Sequence, residues 1–212
     1  MPRRPAVEFW YEFASTYSYL AAMRIEAVAA HAGVAVRWRP FLLGPVFAAQ
    51  GWASSPFNLY PAKGRYMWRD MEREAARFGL PFRRPDPFPQ NALLAARIAL
   101  VGADEPWGPL FAKAVYAAEF GEGRPIADAG MLQGILRGLG LDPDTVLRAA
   151  QGEANKTRLK ATGEEARSRG VFGAPTFFTE DGEMFWGNDR LDNALAWAAG
   201  ERASVAGRAA GA

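Results

Sequence analysis

The sequence predicts an α/β protein in which a small β-structured unit is interrupted by a long helical block. Two observations lead to this prediction. Alternation of apolar and polar residues, which is typical of half-buried strands, occurs at residues 34–41 (VAVRWRPF), and short apolar runs return near residues 176–186. Between about residues 62 and 170 the chain shows helical patterns that end at glycines and begin near prolines.

The N-terminal part is predicted to be a strand, a helix and a second strand. The first strand covers residues 7–13, the helix runs from Tyr17 to about His31, and the second strand covers residues 34–41. Such a unit crosses over with a right hand, which makes the two strands parallel. Residues 44–61 follow with three prolines, and we predict an irregular loop of a length that often serves function.

The remaining elements are a helical block and a C-terminal hairpin. Helices are predicted over residues 62–78, 90–101, 106–120, 128–139, 142–150 and 154–169. A strand at residues 176–179 turns at an Asp-Gly pair and returns at residues 184–186. A last helix runs from Leu191 to about Ala199, and the small residues after it are predicted to fray.

This order of elements predicts a thioredoxin-like fold with a large all-helical insertion. We therefore divide the chain into a thioredoxin-like domain made of residues 6–43 and 171–199 and an inserted helical domain at residues 62–170. Residues 200–212 are expected to form a flexible tail.

Composition excludes several kinds of chemistry. The chain of 212 residues contains no cysteine, so it cannot form disulfides, thiolate metal sites or a cysteine nucleophile. Its first residues lack the apolar run of a signal peptide, and no apolar stretch is long enough to span a membrane. We therefore expect a cytoplasmic protein without a membrane partner.

Four arginines recur every four residues along the predicted helix at residues 62–78. They are Arg65, Arg69, Arg73 and Arg77. Acidic residues lie between them at spacings that form ion pairs on a helix. Since the net charge is only +2, we interpret this stripe as a solvated, ion-paired face and expect no nucleic-acid partner.

The most informative stretch is the segment 9–20, FWYEFASTYSYL, in which a strand gives way to a helix. Ser15 lies at that junction. Backbone N–H groups at a helix N-terminus are unpaired and the helix dipole adds partial positive charge, so the junction suits an anion. Because the chain has no cysteine, any sulfur chemistry at Ser15 needs a sulfur that arrives with a ligand.

Two further segments point to the same site. In residues 172–177, FGAPTF, a proline enters a strand, and a cis bond between Ala174 and Pro175 would leave the Ala174 backbone beside Ser15. The alternative is an ordinary trans-proline turn. In residues 186–191, WGNDRL, Asn188 or Asp189 is suited to cap the last helix or to hold a charged ligand end, and both roles stay open.

Together, residues 13–21 (FASTYSYLA), 173–177 (GAPTF) and 186–191 (WGNDRL) resemble 2-hydroxychromene-2-carboxylate isomerases. These enzymes are related to kappa-class glutathione transferases and to DsbA-like oxidoreductases, and the likeness covers about residues 6–199. The resemblance implies a DsbA-like fold, glutathione as cofactor, a small aromatic carboxylate as substrate and a homodimer.

The resemblance also implies roles for single residues. Ser15 would be the catalytic residue that faces the glutathione thiol, with Thr16 and Tyr17 beside it. Ala174 and Pro175 would hold the cysteinyl backbone, and Asn188 and Asp189 the γ-glutamyl end.

Two more glutathione contacts are implied at Lys63, which matches the family's lysine, and at Asn58 in the preceding loop. Thr16 departs from the family, which usually has proline after the serine.

The reaction that the resemblance implies is a glutathione-dependent cis–trans isomerisation through reversible thiolate addition. A kappa-like glutathione transferase and a non-catalytic glutathione- or peptide-binding module share the same junction serine. The sequence alone leaves these two alternatives open.

Overall fold

The computed structural model describes residues 4–201. Its strands are β1 (Ala6–Tyr11), β2 (Ala35–Pro40), β3 (Thr176–Thr179) and β4 (Met184–Trp186). They form one sheet in the order β2-β1-β3-β4. The predicted parallel β1–β2 pair and the antiparallel β3–β4 hairpin are both confirmed, and β3 also pairs antiparallel with β1.

Helices follow β1 and β4 and fill most of the stretch between β2 and β3. They are α1 (Thr16–His31), α2 (Leu43–Ala49), α3 (Pro56–Leu59), α4 (Pro61–Arg77), α5 (Leu93–Val101), α6 (Trp107–Tyr116), α7 (Ala129–Gly138), α8 (Pro143–Gln151), α9 (Glu153–Ser168) and α10 (Leu191–Ala198). The predicted thioredoxin-like fold with its large helical insertion is thus confirmed. The predicted tail lies almost wholly outside the described residues.

The prediction of an irregular loop over residues 44–61 was wrong. Two short helices, α2 and α3, occupy much of that segment. The reason is that its prolines fall in first turns, where the missing N–H costs nothing. Pro56 opens α3 after Ser55, whose side chain accepts a hydrogen bond from the Phe57 N–H at 3.3 Å.

The predicted helix at residues 106–120 is one continuous stretch with two geometries. Its last turn, Ala117–Gly121, is a π-helix that follows α6 directly. A π-turn inserts one residue into the helical repeat, which apolar periodicity does not reveal. Glu119 and Phe120 of this turn point into the interior and are fully buried.

The main apolar core joins the sheet to the helices. It is one cluster of buried residues that includes Phe9 of β1, Ile25 of α1, Met67 of α4, Phe111 of α6 and Leu195 of α10. The helices between β2 and β3 therefore pack on the same core as the strands. The boundaries of two separate domains remain a prediction.

Three of the four arginines in the stripe on α4 form ion pairs, as interpreted. The pairs are Arg69 with Glu72 at 2.6 Å, Arg73 with Asp70 at 2.8 Å and Arg77 with Glu74 at 3.4 Å. Such exposed pairs contribute little to stability, typically about 0.2–1 kcal/mol each. Within residues 4–201, no helix combines the length and hydropathy needed to cross a bilayer.

Candidate active site

Ser15 is the N-cap of α1. Its backbone is extended, with φ −86° and ψ 113°, and its Oγ accepts a hydrogen bond from the Ser18 N–H at 3.3 Å. Because β1 ends at Tyr11, the chain reaches Ser15 through a tight turn in which the Ser15 N–H donates to the Glu12 carbonyl at 3.1 Å. Ser15 thus stands at the positive end of a 16-residue helix.

The Ala174–Pro175 segment lies directly against Ser15. The peptide bond between these residues is cis, which is the first of the two alternatives left open by the sequence. The Ser15 hydroxyl donates to the Ala174 carbonyl oxygen at 3.0 Å, so two residues 159 positions apart in sequence meet at the site. This hydrogen bond links the first sequence motif to the second.

Two glycines, Gly173 and Gly187, allow residues 186–191, the third sequence motif, to pack beside the Ala174–Pro175 segment. The Gly187 N–H donates to the Pro175 carbonyl at 2.9 Å. The indole of Trp186 passes so close to Gly173 that a Cβ there would lie 2.5 Å from the indole nitrogen. Gly173 is therefore required by close packing, whereas Gly187 is required by its φ of 107°.

Asn188 and Asp189 form a 3-10 turn before α10. The interpretation of either residue as the cap of the last helix was wrong, because Arg190 is the N-cap and makes no side-chain capping bond. Asn188 is 4% exposed and its Oδ1 accepts from Arg24 at 3.4 Å. The Asp189 carboxylate is exposed, with Arg190 at 3.6 Å.

Helix α4 supplies the opposite side of the site. Lys63, in its first turn, places its ammonium 5.0 Å from the centre of the Tyr60 ring. Tyr17 of α1 donates its hydroxyl to Asp70 of α4 at 2.9 Å. Burial, and next the hydrogen bond to the Asp70 carboxylate, raise the pKa of Tyr17, so this hydroxyl stays protonated.

One cleft brings most of the predicted site residues together. Its volume is about 1330 Å³. Of the predicted residues, it is lined by Ser15, Thr16, Tyr17, Lys63, Ala174, Asn188 and Asp189. Typical small-molecule pockets measure about 300–1,000 Å³, so the cleft has room for a tripeptide and a second small molecule.

Two predicted residues lie outside the surface of this cleft. Pro175 follows Ala174 into the sheet and does not contribute to the lining. Asn58 lies in α3, and its side-chain amide donates to the Phe88 carbonyl at 3.1 Å and to Ser54 at 3.4 Å. In this arrangement the Asn58 amide links α3 to residues 85–89, a segment with three prolines.

Glu12 also lines the cleft, although its place in the sequence does not mark it as a site residue. It lies three residues before Ser15 and is 7% exposed. Burial raises the pKa of Glu12 to about 8, and the Ala14 N–H acts in the opposite direction. The one available signal was a carboxylate within an otherwise aromatic run.

A second acid lies behind Glu12. Glu119 of the π-turn is fully buried, and within residues 4–201 neither of its carboxyl oxygens has a hydrogen-bond partner. Burial, and next the charge of Glu12, hold the pKa of Glu119 well above its ordinary value. The site therefore contains a position suited to an anion, which we call the seat, at Ser15 and the N-terminus of α1, with two buried acids close to it.

The sheet, the insertion and the serine-capped helix define a class of thioredoxin-fold protein. A family model for the DsbA-like thioredoxin domain matches residues 6–196. The chain belongs to this family, and within it to the group of 2-hydroxychromene-2-carboxylate isomerases and their kappa-class relatives.

Three relatives document this placement. The chain is 32% identical over 187 residues to 2-hydroxychromene-2-carboxylate isomerase of Sphingobium xenophagum, covering 88% of this chain and 94% of the relative. It is 26% identical over 211 residues to glutathione S-transferase kappa 2 of Caenorhabditis elegans, covering 90% of each. A solved structure of a 2-hydroxychromene-2-carboxylate isomerase superimposes with a TM-score of 0.82 at 28% identity, covering 92% and 95% of the two chains.

Proposed function

We propose that this protein is a glutathione-dependent cis–trans isomerase of aromatic acids like 2-hydroxychromene-2-carboxylate. The observation that carries the proposal is the seat at Ser15, in a chain without cysteine, joined to Ala174 by a 3.0 Å hydrogen bond. The names of the similar proteins support both the isomerisation and the involvement of glutathione.

The residues of the cleft fit glutathione chemically. The Ser15 hydroxyl and the α1 N-terminus suit its sulfur, and the Ala174 carbonyl suits the cysteinyl N–H. Asn188 and the exposed Asp189 carboxylate suit the γ-glutamyl end, where Asp189 would pair with the α-ammonium. Lys63 is a cation that lines the cleft and suits a carboxylate.

When bound, glutathione would supply a thiolate that adds reversibly to a conjugated carbon, so that a double bond can rotate. The protein's task is to keep that sulfur ionised and to exclude competing water. Ser15 is suited to the first task because a hydroxyl donor stabilises a charged acceptor by roughly 1.5–3 kcal/mol. Its hydroxyl must turn away from the Ala174 carbonyl, which frees that carbonyl for a ligand N–H.

The substrate class is supported by the aromatic walls of the cleft. Tyr17 and Phe57 lie with ring centres 6.3 Å apart on one side, and Phe47 and Trp52 lie 5.7 Å apart farther along. Flat rings pack well on such surfaces. We also propose, from the family resemblance, that the protein is cytoplasmic and acts as a homodimer.

The test is product analysis with purified protein, 2-hydroxychromene-2-carboxylate and glutathione. We expect conversion to the trans isomer while the total amount of free glutathione stays constant. A transferase would consume glutathione as a stable conjugate, and a binding module would leave both compounds unchanged. Either of these outcomes contradicts the proposal. Omitting glutathione should abolish conversion and serves as the control.

A further inference from the structure

Glu12 is a cleft residue that the proposed function has not yet used. It begins the turn to Ser15, and its backbone carbonyl accepts from both the Ser15 N–H at 3.1 Å and the Tyr116 hydroxyl at 2.9 Å. These two bonds fix the backbone of Glu12 next to the seat. Glu12 is 7% exposed and is one of the residues that line the cleft.

The surroundings of Glu12 favour an uncharged carboxyl. Glu12 is almost fully buried, and among the described residues no ion pair joins its carboxyl to a cation. Among residues 4–201, the titratable groups that interact with it are Tyr116 of α6 and Glu119 of the π-turn. The charged residues elsewhere on the cleft wall are Lys63, Asp70, Glu74, Arg77, Asp189 and Arg190.

Glu119 provides Glu12 with no compensating charge. Burial, and next the charge of Glu12, hold the pKa of Glu119 well above its ordinary value, so Glu119 stays uncharged, and its two oxygens have no hydrogen-bond partner among the described residues. A carboxylate at Glu12 and an anion at Ser15 would then be two like charges at short range in a poorly solvated site, where such charges repel strongly.

We infer that Glu12 is the acid that faces the ligand group held at Ser15, and that an anion binds there only while Glu12 keeps its proton. This inference rests on the proposed glutathione site. The protonated carboxyl adds no charge and can donate a hydrogen bond to the anion. The ionised carboxylate adds a negative charge and cannot donate a hydrogen bond. Glu12 thereby sets an upper pH limit on anion binding at Ser15. Its pKa, which burial raises to about 8, supports such a limit.

The experiment compares two glutathione analogues by calorimetry between pH 7 and about pH 9.5. Glutathione sulfonate carries a negative charge at the sulfur position throughout this range, and S-methylglutathione carries none. Both share the amino and carboxylate groups, so the ratio of their dissociation constants isolates the effect of charge at Ser15. In the wild type we expect the ratio of the sulfonate's constant to that of the methyl analogue to rise by about tenfold or more.

Two variants assign this effect to one carboxyl. Glu12→Gln keeps size and hydrogen-bonding capacity but cannot ionise, so the ratio should stay flat. Glu119→Gln is the matched control, because Glu119 is also a buried acid but does not line the cleft, and the rise should persist. As a second readout, the thiolate absorbance of bound glutathione should increase more steeply above pH 8 in Glu12→Gln than in the wild type.

The outcomes separate the inference from the proposed function. If both analogues bind and the wild-type ratio stays flat, the inference is overturned while the glutathione site stands. The inference is also overturned if Glu12→Gln keeps the rise or if Glu119→Gln alone removes it. If neither analogue binds at any pH, the glutathione site itself is contradicted.

Discussion

Ser15 combines a structural role with the proposed chemical one. Its oxygen caps α1 by accepting from the Ser18 N–H, and its hydroxyl proton is donated to the Ala174 carbonyl. No histidine can activate it, since the single histidine of the chain, His31, lies at the far end of α1, and the Glu12 carboxyl nearby has a pKa of about 8 and is protonated at neutral pH. A serine without a base is a weak nucleophile but a good hydrogen-bond donor.

Ser15→Ala should therefore slow the proposed reaction without abolishing binding. Loss of one hydrogen bond to a thiolate, worth roughly 1.5–3 kcal/mol, should raise the bound thiol pKa by about one to two units. The rate near neutral pH should fall by about 10- to 100-fold and recover partly at higher pH. Titration of bound glutathione by thiolate absorbance measures the shift.

The control for Ser15→Ala is a serine cap that has no part in the proposed chemistry. Ser55 caps α3 and accepts from the Phe57 N–H at 3.3 Å. Ser55→Ala should lose a similar capping energy, about 1 kcal/mol, while the thiol pKa stays as in the wild type. Equal thiol pKa values in wild type and Ser15→Ala would disprove the proposed role of Ser15.

Glu12 predicts how stability depends on pH. Its pKa is about 8 in the folded protein against an ordinary value of 4.5. Between these values the unfolded chain has lost a proton that the folded chain retains, so the free energy of unfolding falls as pH rises from about 5 to 8. Each unit of pKa difference is worth about 1.4 kcal/mol, and the fall should reach several kcal/mol.

Denaturant unfolding at pH 5, 6.5 and 8 measures this slope. Glu12→Gln should flatten it and should be more stable than the wild type at pH 8. The residual slope in that variant reports Glu119, whose pKa is shifted in the same direction. Glu122→Gln, an exposed glutamate paired with Arg124, should keep the wild-type slope. An equally steep slope in Glu12→Gln would refute the buried-acid assignment.

At the scale of elements, the contact between the residue 173 loop and β4 predicts a specific packing defect. Gly173→Ala would place a methyl group 2.5 Å from the Trp186 indole nitrogen, so either the loop or the ring must move. We expect a loss of about 1–3 kcal/mol in unfolding free energy and weaker glutathione binding, because Ala174 moves with the loop. Denaturation and calorimetry measure the two effects.

Gly163→Ala is the matched substitution for this test. Gly163 lies in α9, and a Cβ there would meet nothing within 4 Å. Alanine is the better helix former, so this variant should gain about 0.5–1 kcal/mol and bind glutathione normally. Unchanged stability and binding in Gly173→Ala would show that the loop and the indole are less tightly coupled than their geometry indicates.

The sequence predicted those elements that are determined by a few neighbouring residues. The turn at Gly182 and the junction at Ser15 follow from the turn and capping chemistry of a few neighbours. The helices α2 and α3 were missed because prolines were interpreted as breakers when they stand in first turns. The π-turn was missed because its extra residue leaves the apolar pattern helical.

The site was predictable to the extent that it is built from contiguous motifs. Ser15, Ala174 and Asn188 each belong to a recognisable run, and the fold brings the three runs together. Glu12 and Glu119 could not be paired in advance, because their burial depends on how the π-turn packs behind β1. The hydrogen bond from the Asn58 amide to the Phe88 carbonyl likewise could not be predicted, because it depends on a tertiary contact.

For the whole molecule, glutathione should act as a stabilising ligand. A ligand that binds only the folded chain stabilises it by roughly 2.7 kcal/mol at 100 times its dissociation constant. Thermal denaturation at increasing glutathione concentration should show a rising midpoint, with calorimetry providing the dissociation constant. Glycine and free glutamate at equal concentrations are the controls. The absence of both heat and midpoint shift at millimolar glutathione would contradict the proposed site.

The hydrogen bond from Ser15 to Ala174 has a consequence for how the protein is made. It joins residues 159 positions apart, so the ribosome must synthesise most of the chain before the bond can form. Strand β1 lacks its partner β3 for the same interval, because β1–β3 pairing is equally non-local. Nascent chains that end before about residue 180 should therefore lack a functional site at Ser15, however completely their helices have folded.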